Sequence, residues 1–332
     1  MSKTVLVLGA NSFSGQDFVD LLLTQTDYRV IGVSRSPERS ATFLSYKRHA
    51  LPPNRYRYAQ LDLNTDAAAF FNLVDAEKPE YFVNFAALSE VAPSWEHPEH
   101  WFETNCVGLA KLVNYLRRQP YLQRYVHISS PEVYGTCVGV VREDAPMNPS
   151  TPYAASKAAA DMLLRTYHKQ FGFPLLTVRA TNVYGAGQQL FKIIPRSVIY
   201  LKLRRLIELH GGGKAVKSYI HIRDVSRGEL AVLQRGRIGQ IYHLSPDQGI
   251  AVKDLVAQLC QKLGQPFEQA TRIVGERPGQ DAAYVIDSSL ARTEFGWRTE
   301  IDLNHGLQEV IDWVHAYWSD IQNLPLDYQH RA

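Results

Sequence analysis

The chain has 332 residues, with 36 Lys+Arg against 33 Asp+Glu and a formal charge of +3. That balance excludes the clustered basic excess of a nucleic-acid footprint, and 45% apolar with 21% charged residues excludes disorder as the dominant state. No apolar run reaches the roughly 20 residues of a membrane span, and Cys106, Cys137 and Cys260 are too scattered for a disulfide framework or a zinc cluster.

The expected protein is soluble and cytoplasmic, with no nucleic-acid or membrane partner and no metal site. The apolar stretch 5–10 is too short for a secretion signal and runs into a turn. Length suggests about two domains, or one large α/β unit with an appendage. In chain order, residues 5–8, 30–33, 81–83, 125–128 and 175–178 read as buried strands. Helical patterns lie between them at 15–23, 67–76, 101–117 and 153–171. Apolar strands alternating with helices imply a doubly wound parallel sheet covered on both faces, an α/β fold of Rossmann type. After Gly185 the rhythm becomes irregular: a helix at 193–209, a turn at Gly211-Gly212-Gly213, and helices at 252–263 and 307–317. The expected division is a dinucleotide-binding domain at 1–185 and a smaller mixed α/β substrate lobe at 186–325, with a strand near 238–245 returning to the main sheet.

The first strand runs straight into Gly9-Ala10-Asn11-Ser12-Phe13-Ser14-Gly15, which opens the first helix. Small residues there let backbone approach a pyrophosphate, and the helix N-terminus offers unpaired N–H groups. Ser12 stands where such loops usually carry their middle glycine. Asp62, followed by Leu63, is placed to meet an adenine edge, with a helix cap as the plainer alternative. At the end of the second strand Ser34-Arg35 offers no carboxylate for the ribose of NAD. Taken alone this tilts toward NADP, and the residues leave the choice open.

Tyr153 and Lys157 lie one helical turn apart on one face, so the ammonium is expected to draw the phenol toward a usable base. Ser129-Ser130 ends a strand upstream, where a hydroxyl could hold the same substrate oxygen.

With these residues the chain resembles the extended short-chain dehydrogenase/reductase family over nearly its whole length. The resemblance makes Tyr153 the base and Lys157 the ribose-binding cation. It also matches Asn105 to the family's helix asparagine, and Ala86-Ala87 to its cofactor-lining strand end, with NAD the family's cofactor. Within the family the nucleotide-sugar 4,6-dehydratases are most similar. Ile128-Ser129-Ser130-Pro131-Glu132-Val133-Tyr134-Gly135 resembles their Val-Ser-Thr-Asp-Glu-Val-Tyr-Gly. Arg179-Ala180-Thr181-Asn182-Val183-Tyr184-Gly185 resembles the segment whose asparagine holds the diphosphate. Lys192 and residues 211–225, including Lys217, resemble substrate-contacting elements. Glu276-Arg277-Pro278-Gly279-Gln280-Asp281, followed by Tyr284, resembles the C-terminal signature in the substrate lobe.

The resemblance implies conversion of a nucleotide hexose to a 4-keto-6-deoxy sugar by C4 oxidation, loss of water across C5 and C6, and hydride return to C6. Pro131 departs from the usual aspartate, so Glu132 is expected to serve both C5 deprotonation and C6 departure. Lys217 stands for a phosphate-gripping arginine, Gln280 for a histidine, and Ser89-Glu90 for Ser-His, which brings a carboxylate near the sugar. A homodimer through helices 101–117 and 153–171 is implied, although Val107, Leu112, Ala158 and Leu163 fit an intrachain core equally well. The rivals are a 4-epimerase or C6-decarboxylase of the same family, and a non-catalytic NAD(P)-binding sensor.

Overall fold

The computed structural model describes residues 2–51, 53–137, 139–275 and 283–330. The strands up to the middle of the chain are β1 (Thr4–Leu8), β2 (Arg29–Ser34), β3 (Tyr56–Gln60), β4 (Tyr81–Asn84), β5 (Arg124–Ile128), β6 (Leu175–Ala180) and β7 (Asn182–Tyr184). Then come β8 (Ile207–His210), β9 (Val216–Lys217), β10 (Tyr219–His221), β11 (Ile241–Leu244), β12 (Ile250–Ala251), β13 (Thr271–Val274) and β14 (Ala283–Tyr284). The helices flanking the first of these are α1 (Phe13–Gln25), α2 (Ala67–Glu77), α3 (Pro98–Phe102), α4 (Leu109–Leu116) and α5 (Pro152–Phe171). They continue as α6 (Ile193–Lys202), α7 (Ile222–Arg235), α8 (Val252–Lys262), α9 (Phe267–Ala270), α10 (Ser289–Phe295), α11 (Leu303–Ala316) and α12 (Trp318–Ile321).

A seven-stranded parallel sheet runs in the order β11-β6-β5-β4-β1-β2-β3. Successive side chains of a strand point to opposite faces, and β1 shows the consequence. Val5 and Val7 pack with Phe18, Val19 and Leu22 of α1 and Val225, Val232 and Leu233 of α7. Leu6 and Leu8 pack with Phe70 and Val74 of α2, Leu109, Leu112 and Val113 of α4, and Leu164 of α5. The strand is apolar throughout because helices cover both sides. A second core joins α6, α8 and α11 through Ile194, Val198, Leu255, Leu259, Leu307, Val310 and Val314.

Two expected elements differ. The helix expected at 193–209 stops at Lys202, Arg204 takes a positive φ of 54°, and residues 207–210 pair as β8 in parallel with β13. Ile207 and Leu209 are buried and Glu208 is not, so the pattern there has the period of a strand. The helix expected at 101–117 is interrupted by a wide π turn, Glu103–Gly108, between α3 and α4. Among the described residues no helix is long and apolar enough to cross a membrane.

Candidate active site

The strand order reverses at β1 and β4, the place where such sheets open a crevice at their carboxyl ends. Gly9 turns there with φ of 87°, and a Cβ on it would lie 2.8 Å from the Ala86 backbone nitrogen. A Cβ on Gly15 would lie 2.2 Å from the Gly9 carbonyl oxygen. Both glycines therefore let the turn sit flat against its neighbours. Ser12 caps α1, its Oγ accepting from the Gly15 N–H at 3.0 Å, and no acidic side chain occupies the first turn. That explains a serine in the middle of the loop. Asn11 locks the turn to the segment after β2: its Nδ2 donates to Ser36 Oγ and the Pro37 carbonyl, both at 2.7 Å.

The crevice is a cavity of about 250 Å³. Gly9, Asn11, Ser12, Ser34 and Arg35 line one end, Asp62 and Leu63 stand above, and Ala86, Ala87, Asn105 and Lys157 line the other. Phe13, Gly15 and Tyr153 are not on its wall; Phe13 and Gly15 are buried in α1 beneath the turn. The Asp62 carboxylate accepts from the Asn64 N–H at 2.9 Å, while the N-cap position of α2 belongs to Asp66. Ser34 Oγ accepts from the Asn11 N–H at 2.9 Å, and Arg35 is exposed at the rim. The glycine cradle, the helix N-terminus with no acid in its first turn, and the run of lining residues from Ser34 to Lys157 fit a dinucleotide.

Asn105 sits buried in the π turn. Its Oδ1 accepts from the Leu88 N–H at 2.9 Å, and its Nδ2 donates to the Leu88 carbonyl at 3.0 Å and to Ser156 Oγ at 2.9 Å. It thus pins the strand end after β4 to α5, and a π turn at such a position is a common functional device. Thr151 caps α5 through the Ala154 N–H at 3.1 Å, which sets Tyr153 in the first turn, buried.

The electrostatics of Tyr153 run against the expectation. Its phenol is held above the ordinary value, first by burial and then by the negative charges of Glu132, Glu90 and Asp161, while a hydrogen bond with Ser130 works the other way. Lys157 reaches from α5 to the end of β5: Nζ donates to the Ile128 carbonyl at 2.7 Å and lies 3.5 Å from His127 Nε2. Burial brings Lys157 down to about 8, opposed by Asp161. Helical spacing placed the pair on one face and said nothing of where the ammonium points.

Ser130 caps the short helical turn Pro131–Tyr134 by accepting from the Glu132 N–H at 3.2 Å, so Ser130, Glu132 and Tyr153 converge. Glu90 and Lys192, both substrate candidates, are paired with each other, Nζ lying 2.8 Å from Oε1 and 2.9 Å from Oε2. Ser89 is exposed beside them, its Oγ 3.5 Å from Glu90 Oε1. Asn182 begins β7 and donates to the Ser218 carbonyl at 3.5 Å. Lys217 lies in β9 between β12 and β14, opposite Ile250 and the backbone of Tyr284. Arg277 and Gln280 lie outside the described residues.

A buried polar belt under α5 escaped the sequence reading. Asp161 pairs with Arg179 at 2.6 Å and accepts from Ser129 Oγ at 2.7 Å. Arg179 donates to Tyr134 Oη, which lies 2.7 Å from His243 Nε2. His127 stands 3.5 Å from both Lys157 Nζ and Asp161 Oδ1, and burial beside Lys157 and Arg179 keeps it neutral. The signal available was Arg179 in an apolar strand and Asp161 one turn beyond Lys157.

Residues 6–310 match the model of the family described as GDP-mannose 4,6 dehydratase, and the chain belongs to that family. It is 32% identical over 284 residues to a dTDP-glucose 4,6-dehydratase of Xanthomonas campestris pv. campestris, covering 80% of this chain and 81% of that one. A dTDP-glucose 4,6-dehydratase of Mycolicibacterium smegmatis is 31% identical over 342 residues, 99% of each chain. The dTDP-glucose 4,6-dehydratase DesIV of Streptomyces venezuelae, solved with NAD bound, superimposes with a TM-score of 0.87 at 30% identity, over 95% of this chain and 98% of that one.

Proposed function

We infer that the chain is an NAD-dependent nucleotide-sugar 4,6-dehydratase, a hydro-lyase that converts a nucleotide hexose to its 4-keto-6-deoxy product. The observation that carries this reading is the convergence of Ser130, Glu132 and Tyr153 beside the dinucleotide crevice, in a chain of the dehydratase family. NAD, bound in the relatives' structures, supplies the acceptor and donor of hydride; Gly9, Ser12, Asp62, Ala86 and Lys157 would hold it.

In this reading Ser130 holds the C4 oxygen while Tyr153 takes the C4 hydroxyl proton and the C4 hydrogen departs as hydride. The ketone then acidifies C5–H, and Glu132 removes that proton as a carboxylate. Glu132, now a carboxylic acid, gives the proton to the C6 hydroxyl, which leaves as water; Pro131 offers no second acid. Hydride arrives at C6, and a proton from solvent completes C5, matching the one Tyr153 later releases. Atoms balance with one water lost and no net redox change. Asn182, Lys192, Lys217, Arg277 and Tyr284 are assigned to the nucleotide-sugar side, and residues 186–325, apart from α7 and β11 on the main sheet, to its lobe.

A homodimer through α3, α4 and α5 goes with this reading. Phe102, Val107, Met162 and Phe171 are exposed along these segments, whereas Leu112 and Ala158 belong to the intrachain core. Exposed apolar side chains on these segments support a partner face there. The activity is tested by incubating the purified chain with UDP-, dTDP-, GDP- and CDP-hexoses and measuring product mass: loss of one water supports it, and an unchanged mass with every sugar rejects it.

A further inference from the structure

We propose that His97, Glu99 and His100 bind one divalent transition-metal ion of the zinc or nickel class, with His330 as the partner that orients His100. His97 Nδ1 lies 3.9 Å from Glu99 Oε1, and His100 Nε2 lies 3.8 Å from the same oxygen. The three ligand atoms all lie within 4.8 Å of one another. A tetrahedral ion with nitrogen and oxygen ligands at about 2.0–2.2 Å brings those atoms to roughly 3.4 Å apart. The side chains are 49%, 67% and 32% exposed, and the His97 and His100 rings are stacked at 5.3 Å, so closing the set takes χ rotations that turn both imidazoles toward Glu99.

The second observation is the hydrogen-bond chain behind His100. His100 Nδ1 lies 2.8 Å from His330 Nε2, and His330 Nδ1 lies 3.2 Å from Tyr328 Oη. If His100 donates Nδ1–H to His330, its Nε2 lone pair faces Glu99 and is available for coordination; His330 then donates Nδ1–H to Tyr328. A ligand imidazole whose other nitrogen is hydrogen-bonded in this way is the usual arrangement around bound metals. The His330 ring is held in place, stacked on Trp101 at 5.2 Å and on His100 at 5.1 Å. Two imidazoles and one carboxylate suit zinc or nickel, whereas magnesium and calcium favour all-oxygen sets. Water completes the coordination.

The site joins two distant parts of the chain. Tyr328 packs edge-on against Phe191 at 5.4 Å, next to Lys192, which holds Glu90. A bound ion would therefore fasten residues 328–330 to α3 beside the cleft.

The full chain, stripped with a chelator, should be titrated with Zn²⁺ by calorimetry and with Co²⁺ by visible absorption. One ion per chain is expected, with affinity falling at least tenfold in both His97→Ala and His100→Ala, and by about 10–100-fold in His330→Ala, where only the orienting partner is lost. These residues are at the surface, and circular dichroism should match the parent. No ion bound by the parent, or the same affinity in His97→Ala and His100→Ala, would overturn the site. Unchanged affinity in His330→Ala alone would overturn its orienting role.

Discussion

Lys192 Nζ stands within 2.9 Å of both carboxylate oxygens of Glu90, an ion pair between residues 102 positions apart beside Tyr153. Glu90 is thus committed to Lys192, and the proposed reaction gives the C5 proton to Glu132. Glu132→Gln should therefore lower exchange of the C5 hydrogen with solvent by about 10²–10⁴, the usual loss of a general base, while still allowing reduced cofactor to accumulate. Glu90→Gln should leave exchange near the parent rate. Exchange measured by NMR in deuterated buffer decides between them, and the reverse pattern would make Glu90 the base.

The charges around Tyr153 give a pH prediction with a definite sign. Glu132 raises the phenol's pKa, so removing that charge must lower it. The alkaline-going limb of C4 oxidation, followed as cofactor reduction in a single turnover, should shift to lower pH in Glu132→Gln. Tyr153→Phe should bind cofactor and lose about 10²–10⁴ in rate. A shift to higher pH in Glu132→Gln, or a near-normal rate in Tyr153→Phe, would contradict the assignment.

Gly9→Ala puts a methyl group 2.8 Å from the Ala86 nitrogen and 2.9 Å from the Phe85 carbonyl carbon, at a φ of 87°. Strain of this kind costs about 1–3 kcal/mol. The variant should melt earlier and bind NAD more weakly than the parent, by calorimetry. Parent-like values for both would show that the turn does not approach the β4 strand end so closely.

Arg35 stands exposed at the crevice rim, at a strand end that carries no acid. Arg35→Ala should weaken NADP more than NAD, because the guanidinium favours a 2′-phosphate. Equal small changes for the two would make it a solvated loop residue.

The sheet was legible where both faces are covered: β1, β2, β4, β5 and β6 are apolar runs because α1 and α7 lie on one side and α2, α4 and α5 on the other. β3 was not, because it is an edge strand, half exposed, with Arg57 and Gln60 facing outward. β8 was hidden by the apolar run that continues from α6 past Arg204. The cofactor crevice could be located in advance because a glycine turn and the strand ends beside it are local features. The surroundings of Tyr153 were only partly local: Asp161 shares α5 with it, whereas Glu90 and Glu132 reach it from two other segments, and burial acts together with them. Spacing along α5 reaches Lys157 and Asp161 but not Glu90, Glu132 or the burial. The Glu90–Lys192 pair was illegible for the same reason, whereas the Asp161–Arg179 pair left a trace in an arginine within an apolar strand.

In the proposed reaction the hydride that leaves C4 returns to C6. Nucleotide hexoses deuterated at C4, supplied without added cofactor, test it directly. Deuterium in a new C6 methyl group, with one water lost and no net reduced cofactor, is the expected product. Label retained at C4 of a sugar of unchanged mass would contradict the dehydratase and indicate a 4-epimerase; no transfer with any nucleotide sugar, despite tight NAD binding, would indicate a sensor.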